Sequence, residues 1–313
     1  MEGELVKEEE LKYQERIEIA KQVEELQKKL NGRTNILFKD DIYVPIPHVA
    51  TINAKSLDDL YFKAVLTTLE HGRLNPVEEG SHKGSYRVEL DDVTLIAKNQ
   101  RDPITKKLSP DSRPGVPAPT DEEKISNYFN NYIISHKLEK NEHYRYSSWI
   151  VGIPEFQKDK DGKKIKIPLR EKGIPRGTRL NQLEWIVDHF IEKGYGNNHA
   201  AITVGCAEGL KRYDWPYKEE TEKGSTECLR QLTFKIHEDQ LNLTCFFRSW
   251  DLYGGTPVNL GGLSLLMEYT TNLINSRKKD NMPEVKTGNL QAHSDGLHIY
   301  SHHLEPIKLK ILG

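Results

Sequence analysis

The chain has 313 residues, with 45 Lys and Arg against 47 Asp and Glu and a formal charge of -2, so no basic excess points to nucleic acid or an anionic membrane surface. Hydrophobic residues make up 36% and charged residues 29%, with a mean hydropathy of -0.68, the balance of a soluble globular protein with polar insertions. EGELVKEEE stands where a signal peptide would need an apolar run, and no apolar window reaches membrane-spanning length. Three cysteines, at 206, 228 and 245, are too few for a disulfide framework or a Cys-rich zinc site. A cytoplasmic protein with no membrane or nucleic-acid partner is expected.

Residues 4–30 set Leu11, Ile17, Ile19, Val23, Leu26 and Leu30 among mixed charges, a pattern that predicts a surface helix. Residues 1–50 are read as a helical N-terminal extension and 51–313 as the catalytic domain. LDDLYFKAVLTTLE predicts a helix over 57–70, closed by His71-Gly72. YRVEL and VTLIA alternate roughly and predict a strand pair joined at Asp91-Asp92. Five prolines between 101 and 120 exclude helix and central strand, leaving a loop. DEEKISNYFNNYIISHK predicts a helix, with Thr120 as N-cap and Glu123 completing a capping box.

The Lys-rich stretch 155–178, broken by Gly and Pro, is expected to be a solvated hairpin or insertion; Asp159-x-Asp161-Gly162 within it lacks the remaining ligands of a calcium loop. NQLEWIVDHFIEKG predicts an amphipathic helix with Leu183, Ile186, Val187, Phe190 and Ile191 on one side, and AAITVG a short strand. QLTFKI and LNLTCFF flank HEDQ as a β-hairpin, NLGGLSLLMEYTTNLI reads as a buried helix, and LHIYSHH and PIKLKIL read as further strands. The fold class is α+β: a single domain whose mixed sheet comes largely from the C-terminal half, packed by helices from both halves.

Chemistry concentrates after residue 226. Cys228, in Thr226-Glu227-Cys228-Leu229-Arg230, has a guanidinium two positions on, the kind of neighbour that favours a thiolate. An isolated cysteine is otherwise a small buried hydrophobe. Arg248, Ser249, Asp251 and Asn259 then fall within twelve residues around a Gly-rich turn into a helix. Arg suits a phosphate, a carboxamide suits an amide-like ring edge, and glycine lets the backbone approach a ligand. The competing reading is a surface turn with Asn259 as helix cap. His293, His298, His302 and His303 suggest a metal site, but on a strand residues four apart diverge by about 13 Å and no carboxylate completes the set, so none is expected.

The segment from Cys228 to Asn259 resembles the active-site core of thymidylate synthases: the cysteine, then Arg-Ser-x-Asp, then Gly-x-Pro-x-Asn, without a gap. His298-Ile299-Tyr300 resembles the family's His-x-Tyr motif, and the wording is closest to the archaeal-type branch. Tyr144-Arg145-Tyr146-Ser147 resembles its Tyr-Gly segment. Three positions depart from the pattern: Asn197-Asn198-His199 stands where the family has an Arg-Arg pair, GSHKGSY lacks the Arg-Thr-Gly-Thr loop although Lys83 and Arg87 could supply charge, and Glu227 replaces the Pro before the nucleophile.

The resemblance implies that Cys228 adds to carbon 6 of a pyrimidine, that Arg248 binds the 5'-phosphate and keeps Cys228 ionised, and that Ser249 hydrogen-bonds the phosphate. Asn259 would read the base, His298 and Tyr300 the sugar hydroxyl. Asp251 would contact the folate, and Tyr146 would act through water on the carbon 5 proton. It further implies 5,10-methylenetetrahydrofolate or a related reduced pterin as co-substrate, a pyrimidine nucleoside monophosphate as substrate, and a homodimer. The leading reading is reductive methylation of dUMP to dTMP. The alternatives are a CMP, dCMP or dUMP hydroxymethylase and a nucleotide-binding paralogue without turnover.

Overall fold

The computed structural model describes residues 2–78, 82–111, 118–135, 145–158, 162–214 and 226–312. Strict alternation builds its largest element. Val93, Leu95 and Ala97 in β5 (Asp92–Ala97), Leu241, Leu243, Cys245 and Phe247 in β12 (Gln240–Phe247), and Leu290, Ala292 and Ser294 in β14 (Lys286–Ser294) are all buried on one face. With β1 (Ile42–Ile46), β2 (Val49–Ala54), β10 (Ala201–Thr203) and β11 (Leu229–His237) they form a seven-stranded mixed sheet, ordered β1-β2-β5-β14-β12-β11-β10. The pairs β2/β5 and β12/β14 are parallel and the other neighbours antiparallel.

Helices α3 (Leu57–His71), α6 (Gln182–Lys193) and α7 (Thr256–Arg277) pack together, α3 and α7 lying against the sheet. The opposite face, which carries Thr51, Thr94, Thr233, Thr244, Phe246 and His293, is half-buried without a covering layer among the described residues. Gly261 and Gly262 sit inside α7 because α4 (Glu122–Tyr128) crosses there: a Cβ at Gly261 would lie 2.7 Å from the Ile125 side chain.

A smaller sheet, β13-β15-β4-β3, comprises β13 (Trp250–Asp251), β15 (Leu297–Tyr300), β4 (Tyr86–Leu90) and β3 (Arg73–Pro76). Here the strand pair expected at 86–97 is corrected. Both strands form, but Asp91 joins them across a corner rather than a hairpin: β4 pairs with β3 and β15, β5 with β2 and β14. Three chain segments turn this corner side by side, β4 into β5, β12 into β13, and β14 into β15. At the last, Gly296 has φ 97° and a Cβ there would meet Glu89 Oε1 at 2.7 Å.

The boundary expected at 50/51 falls inside β2, so the N-terminal segment supplies sheet strands as well as a helix. The helix α1 (Glu2–Leu30) is no free surface helix either: Val23, Leu26 and Leu30 are buried, and it packs on α3. The cap of α4 is Asp121, whose side chain accepts from the Lys124 amide, one residue later than the expected Thr120; the helix then widens into a π-helical turn, Phe129–Ile133.

The 155–178 stretch contains two small hairpins, β6 (Phe156–Lys158) with β7 (Lys164–Lys166), and β8 (Arg170–Glu171) with β9 (Ile174–Pro175). The hairpin of β11 and β12 forms as expected, with Glu238 and Asp239 at φ 49° and 58° in its turn. PIKLKIL is helical within α8 (Leu304–Leu312), not a strand, and SHH forms a 3-10 turn before it. Tyr144 and the calcium-like Asp159 and Asp161 lie outside the described residues.

Candidate active site

The corner between the two sheets gathers most of the expected residues. Cys228 immediately precedes β11, and the Arg248 amide donates to its carbonyl at 2.9 Å, extending the β11/β12 ladder by one bond. The Arg248 guanidinium folds back over this junction. Its Nε donates to Glu227 O at 3.1 Å, and its Nη2 to Thr226 O at 3.0 Å and to Cys228 Sγ at 3.7 Å. Among the described residues, three of its five N–H donors are thereby engaged and those on Nη1 are not. The Tyr213 ring lies 5.7 Å from the guanidinium carbon, and Ser249 is half-buried at the same strand end.

The thiol's environment corrects one expectation. Burial pushes the Cys228 thiol up, and the neighbouring Glu227 pushes in the same direction, against Arg248 and Arg230, which pull it down. The resting group is a thiol held beside its cations, not a free thiolate. Among the other cysteines, Cys245 is buried in β12 and burial pushes it far up, while Cys206 is half-buried and also raised, chiefly by burial.

Tyr146 sits at the start of the short helix α5 (Ser147–Ile150), and its hydroxyl accepts from the Leu229 amide at 3.4 Å, one residue beyond the nucleophile. Asn259 is not a helix cap, as the reading of this segment as a surface turn required, because α7 already starts at Thr256, with Gly255 at the cap position. Its Oδ1 accepts from Trp250 Nε1 at 2.9 Å. An indole nitrogen only donates, so this bond fixes which carboxamide atom is oxygen and turns Nδ2 the other way.

On the far side of the corner, Asp251 caps its own turn, accepting from the Tyr253 and Gly254 amides at 3.0 and 3.2 Å. A Cβ at Gly254 would lie 2.9 Å from Asp251 Oδ2, which accounts for the glycine. Asp251 pairs in register with His298 on β15. His298 is buried; its Nδ1 meets Gly296 O at 3.0 Å and its Nε2 has no hydrogen-bond partner among the described residues. Tyr300 lies on the same face, ring centroids 4.7 Å away. Burial raises its phenol, helped by Asp251.

Rings continue from there: His82 is 4.2 Å from Tyr300 and 5.0 Å from His302, His302 is 4.2 Å from His303, and His303 is 4.4 Å from Tyr253. Burial pushes His298, His302 and His303 all down, so these imidazoles are neutral at pH 7. No group of three His, Cys, Asp or Glu among the described residues has the arrangement to hold a metal ion.

Residues that sequence reasoning left without a role complete the site. Trp250 orients Asn259; its only signal was its place inside the Arg-Ser-x-Asp motif. Glu227 was visible as a departure, but its partner Arg212 gave no signal. Of the two charges expected around the GSHKGSY segment, Arg87 lies in β4 and is paired with Glu89, and Lys83 is exposed. His199, standing where the family has an arginine, instead meets His189 Nε2 through its Nδ1 at 3.0 Å, and His189 stacks on Trp185 at 4.7 Å, all at the β10 end of the large sheet.

No protein-family profile matches the chain. It is 22% identical over 262 residues to a protein of Methanosarcina mazei described as "Putative thymidylate synthase", a match covering 84% of this chain and 94% of that one. A protein of the same description from Methanococcoides burtonii is 23% identical over the same shares. The Methanothermobacter marburgensis protein so described is 30% identical over 86 residues, 28% of this chain and 34% of its own. Among solved structures, thermostable thymidylate synthase A from Bacillus subtilis superposes with a TM-score of 0.48 at 13% identity, over 81% of this chain and 83% of that one. Over most of its length, then, the chain is similar to archaeal proteins described as putative thymidylate synthases.

Proposed function

We propose that the protein transfers a one-carbon unit to carbon 5 of a pyrimidine nucleoside monophosphate, in its leading form the reductive methylation of dUMP. The observation that carries this reading is the single unit formed by Cys228, Arg248 and Asn259, with a nucleophile, a cation and an oriented carboxamide set around one strand corner. A uracil edge offers both an N–H and carbonyl acceptors, which Asn259 matches with Oδ1 and Nδ2. In this reading Arg248 Nη1 and the Ser249 hydroxyl bind the phosphate, and His298 Nε2 with the Tyr300 phenol binds a sugar hydroxyl.

The Cys228 sulfur adds to carbon 6 as the thiol proton departs to solvent, and the ring electrons move onto the carbonyl oxygen at carbon 4 as an enolate. Carbon 5 becomes the nucleophile. Loss of its proton, through water held at the Tyr146 hydroxyl, precedes breakage of the S–C6 bond. A reduced folate or related pterin supplies the one-carbon unit and, for methylation, the hydride. Asp251 and the adjoining rings of Tyr253 and His303 fit such a heterocycle, because a carboxylate accepts from ring N–H groups and flat rings stack on it. The uncovered face of the seven-stranded sheet is the surface offered to a second copy of the chain.

Incubation with methylenetetrahydrofolate and dUMP labelled at carbon 5 tests this directly. Release of the label together with dihydrofolate and dTMP is expected. Release without dihydrofolate would establish hydroxymethylation, the reading favoured by His199 in place of an arginine. Nucleotide binding with no release from uridine or cytidine monophosphates, ribo or deoxy, would establish the non-catalytic paralogue.

A further inference from the structure

Behind the nucleophile lies a buried charged group that the proposed chemistry does not use. Glu227 is fully buried, and Trp149 Nε1 donates to its Oε1 at 2.8 Å. Arg212, 1% exposed, donates from Nη1 to both carboxylate oxygens at 3.2 and 3.4 Å and from Nη2 to Pro175 O at 2.5 Å. Arg230 Nη1 stands 3.8 Å from Oε2. Arg212 belongs to the 3-10 segment Ala207–Asp214, and the next residue, Tyr213, pairs its hydroxyl with Thr226 Oγ1 at 3.0 Å.

Two adjacent side chains of one segment therefore grip two adjacent residues of Thr226-Glu227-Cys228, while Arg248 holds the carbonyls of the same two residues. A buried carboxylate is tolerated only when its oxygens are satisfied, and here Trp149 and Arg212 satisfy them. The space is tight as well: a Cβ at Gly205 would lie 2.7 Å from Arg230 Nη1 and 3.1 Å from Glu227 Oε2.

We propose that Glu227, locked by Arg212 and Trp149, is a positioning residue that fixes Cys228 at the strand corner and tempers the reactivity of its thiol. Its negative charge, itself paired with Arg212, offsets the guanidinium groups of Arg230 and Arg248 that act on the sulfur. Among the described residues, the Tyr300 phenol on β15 also interacts with Cys228, and the Tyr146 phenol, at the start of α5, meets the amide of the next residue, Leu229. Burial and Glu227 together hold the sulfur protonated at rest, so an anionic ligand on Arg248 is not needed to keep a thiolate quiet; the free site is already quiet. The inference deepens the reading of Cys228 as nucleophile and rests on that reading for its catalytic meaning, but the sulfur's reactivity is measurable without turnover.

The test is the pH profile of Cys228 carboxamidomethylation by iodoacetamide, followed by peptide mass spectrometry on the full-length protein, with the buried Cys245 as the internal reference for any loosening of the fold. Glu227→Gln keeps the shape and the Trp149 bond but removes the charge. Its Cys228 midpoint is expected to move down by about half a pH unit or more, about threefold in rate below the midpoint, with Cys245 unchanged. Arg230→Gln, at a partly exposed side chain, is expected to move the midpoint the opposite way and serves if Glu227→Gln does not fold. A folded Glu227→Gln with an unmoved profile would overturn the proposal, as would Arg230→Gln moving the midpoint down. Midpoints that move as expected in a protein that turns over no pyrimidine nucleotide would leave this inference standing and remove the proposed function instead.

Discussion

The two sides of the strand corner are built from different chemistry. Around Cys228 stand Arg212, Arg230, Arg248 and Glu227, held by bonds to backbone carbonyls and to one another. Around Asp251 stand His82, His298, His302, His303, Tyr253 and Tyr300, joined by ring contacts. Guanidinium groups keep their charge throughout the working pH range, so the first side fixes position; burial holds His298, His302 and His303 below the ordinary imidazole value, so the second side responds as pH falls below neutrality.

The largest effect belongs to the cysteine side. Cys228→Ser is expected to reduce label release from carbon 5 of dUMP by about a thousandfold or more, because no second group present replaces a sulfur nucleophile. Full activity in this variant would remove Cys228 from the mechanism. Next, Arg212→Met leaves Glu227 buried without its main counter-charge and should lower unfolding free energy by about 3 to 5 kcal/mol in urea titration; a loss under about 1 kcal/mol, the range of an exposed pair, would show that the carboxylate finds other partners.

Asn259 joins the two sides. Asn259→Asp keeps the acceptor for Trp250 but removes the Nδ2 donor, and kcat/KM for a uracil nucleotide should fall about a hundredfold while a cytosine nucleotide gains. A smaller response is expected from pH. Since burial holds His298, His302 and His303 below the unfolded value of about 6.5, the unfolded chain binds more protons between the folded and unfolded pKa values. Stability from these groups is therefore present above pH 6.5 and lost as pH falls toward the folded values. Thermal unfolding should show Tm decreasing from pH 7 to pH 5, and His298→Gln should shallow that decrease; an identical slope would place the pH response elsewhere.

The mildest change is Trp250→Phe, which deletes the indole donor to Asn259 Oδ1. Freed to rotate, the carboxamide should cost about 1 kcal/mol of base recognition, about fivefold in KM with kcat little changed. An unaltered KM would show that the Trp250 bond does not orient Asn259.

Local pattern and tertiary context divided the chain unevenly. Helices α3, α6 and α7 and the β11/β12 hairpin were legible because their apolar spacing is regular and their ends carry caps or turns. The strands at 86–97 were legible too, but not their partners, since alternation states which face is buried and not which strand lies alongside. PIKLKIL shows the limit from the other direction: its alternation reads as a strand, yet it lies in a helix, where Ile307 is buried.

The sequence by itself determined the order and spacing of Cys228, Arg248, Asp251, Asn259, His298 and Tyr300, together with the residue types that make them fit for a nucleotide. Only the tertiary structure decided that Arg248 turns inward onto the residues before the cysteine, that Trp250 settles the orientation of Asn259, and that a buried Glu227 and Arg212 stand behind the nucleophile. Those outcomes depend on contacts between segments that are distant in the chain, brought together where three strands bend from one sheet into another. The spacing of a motif records its ladder but not its neighbours.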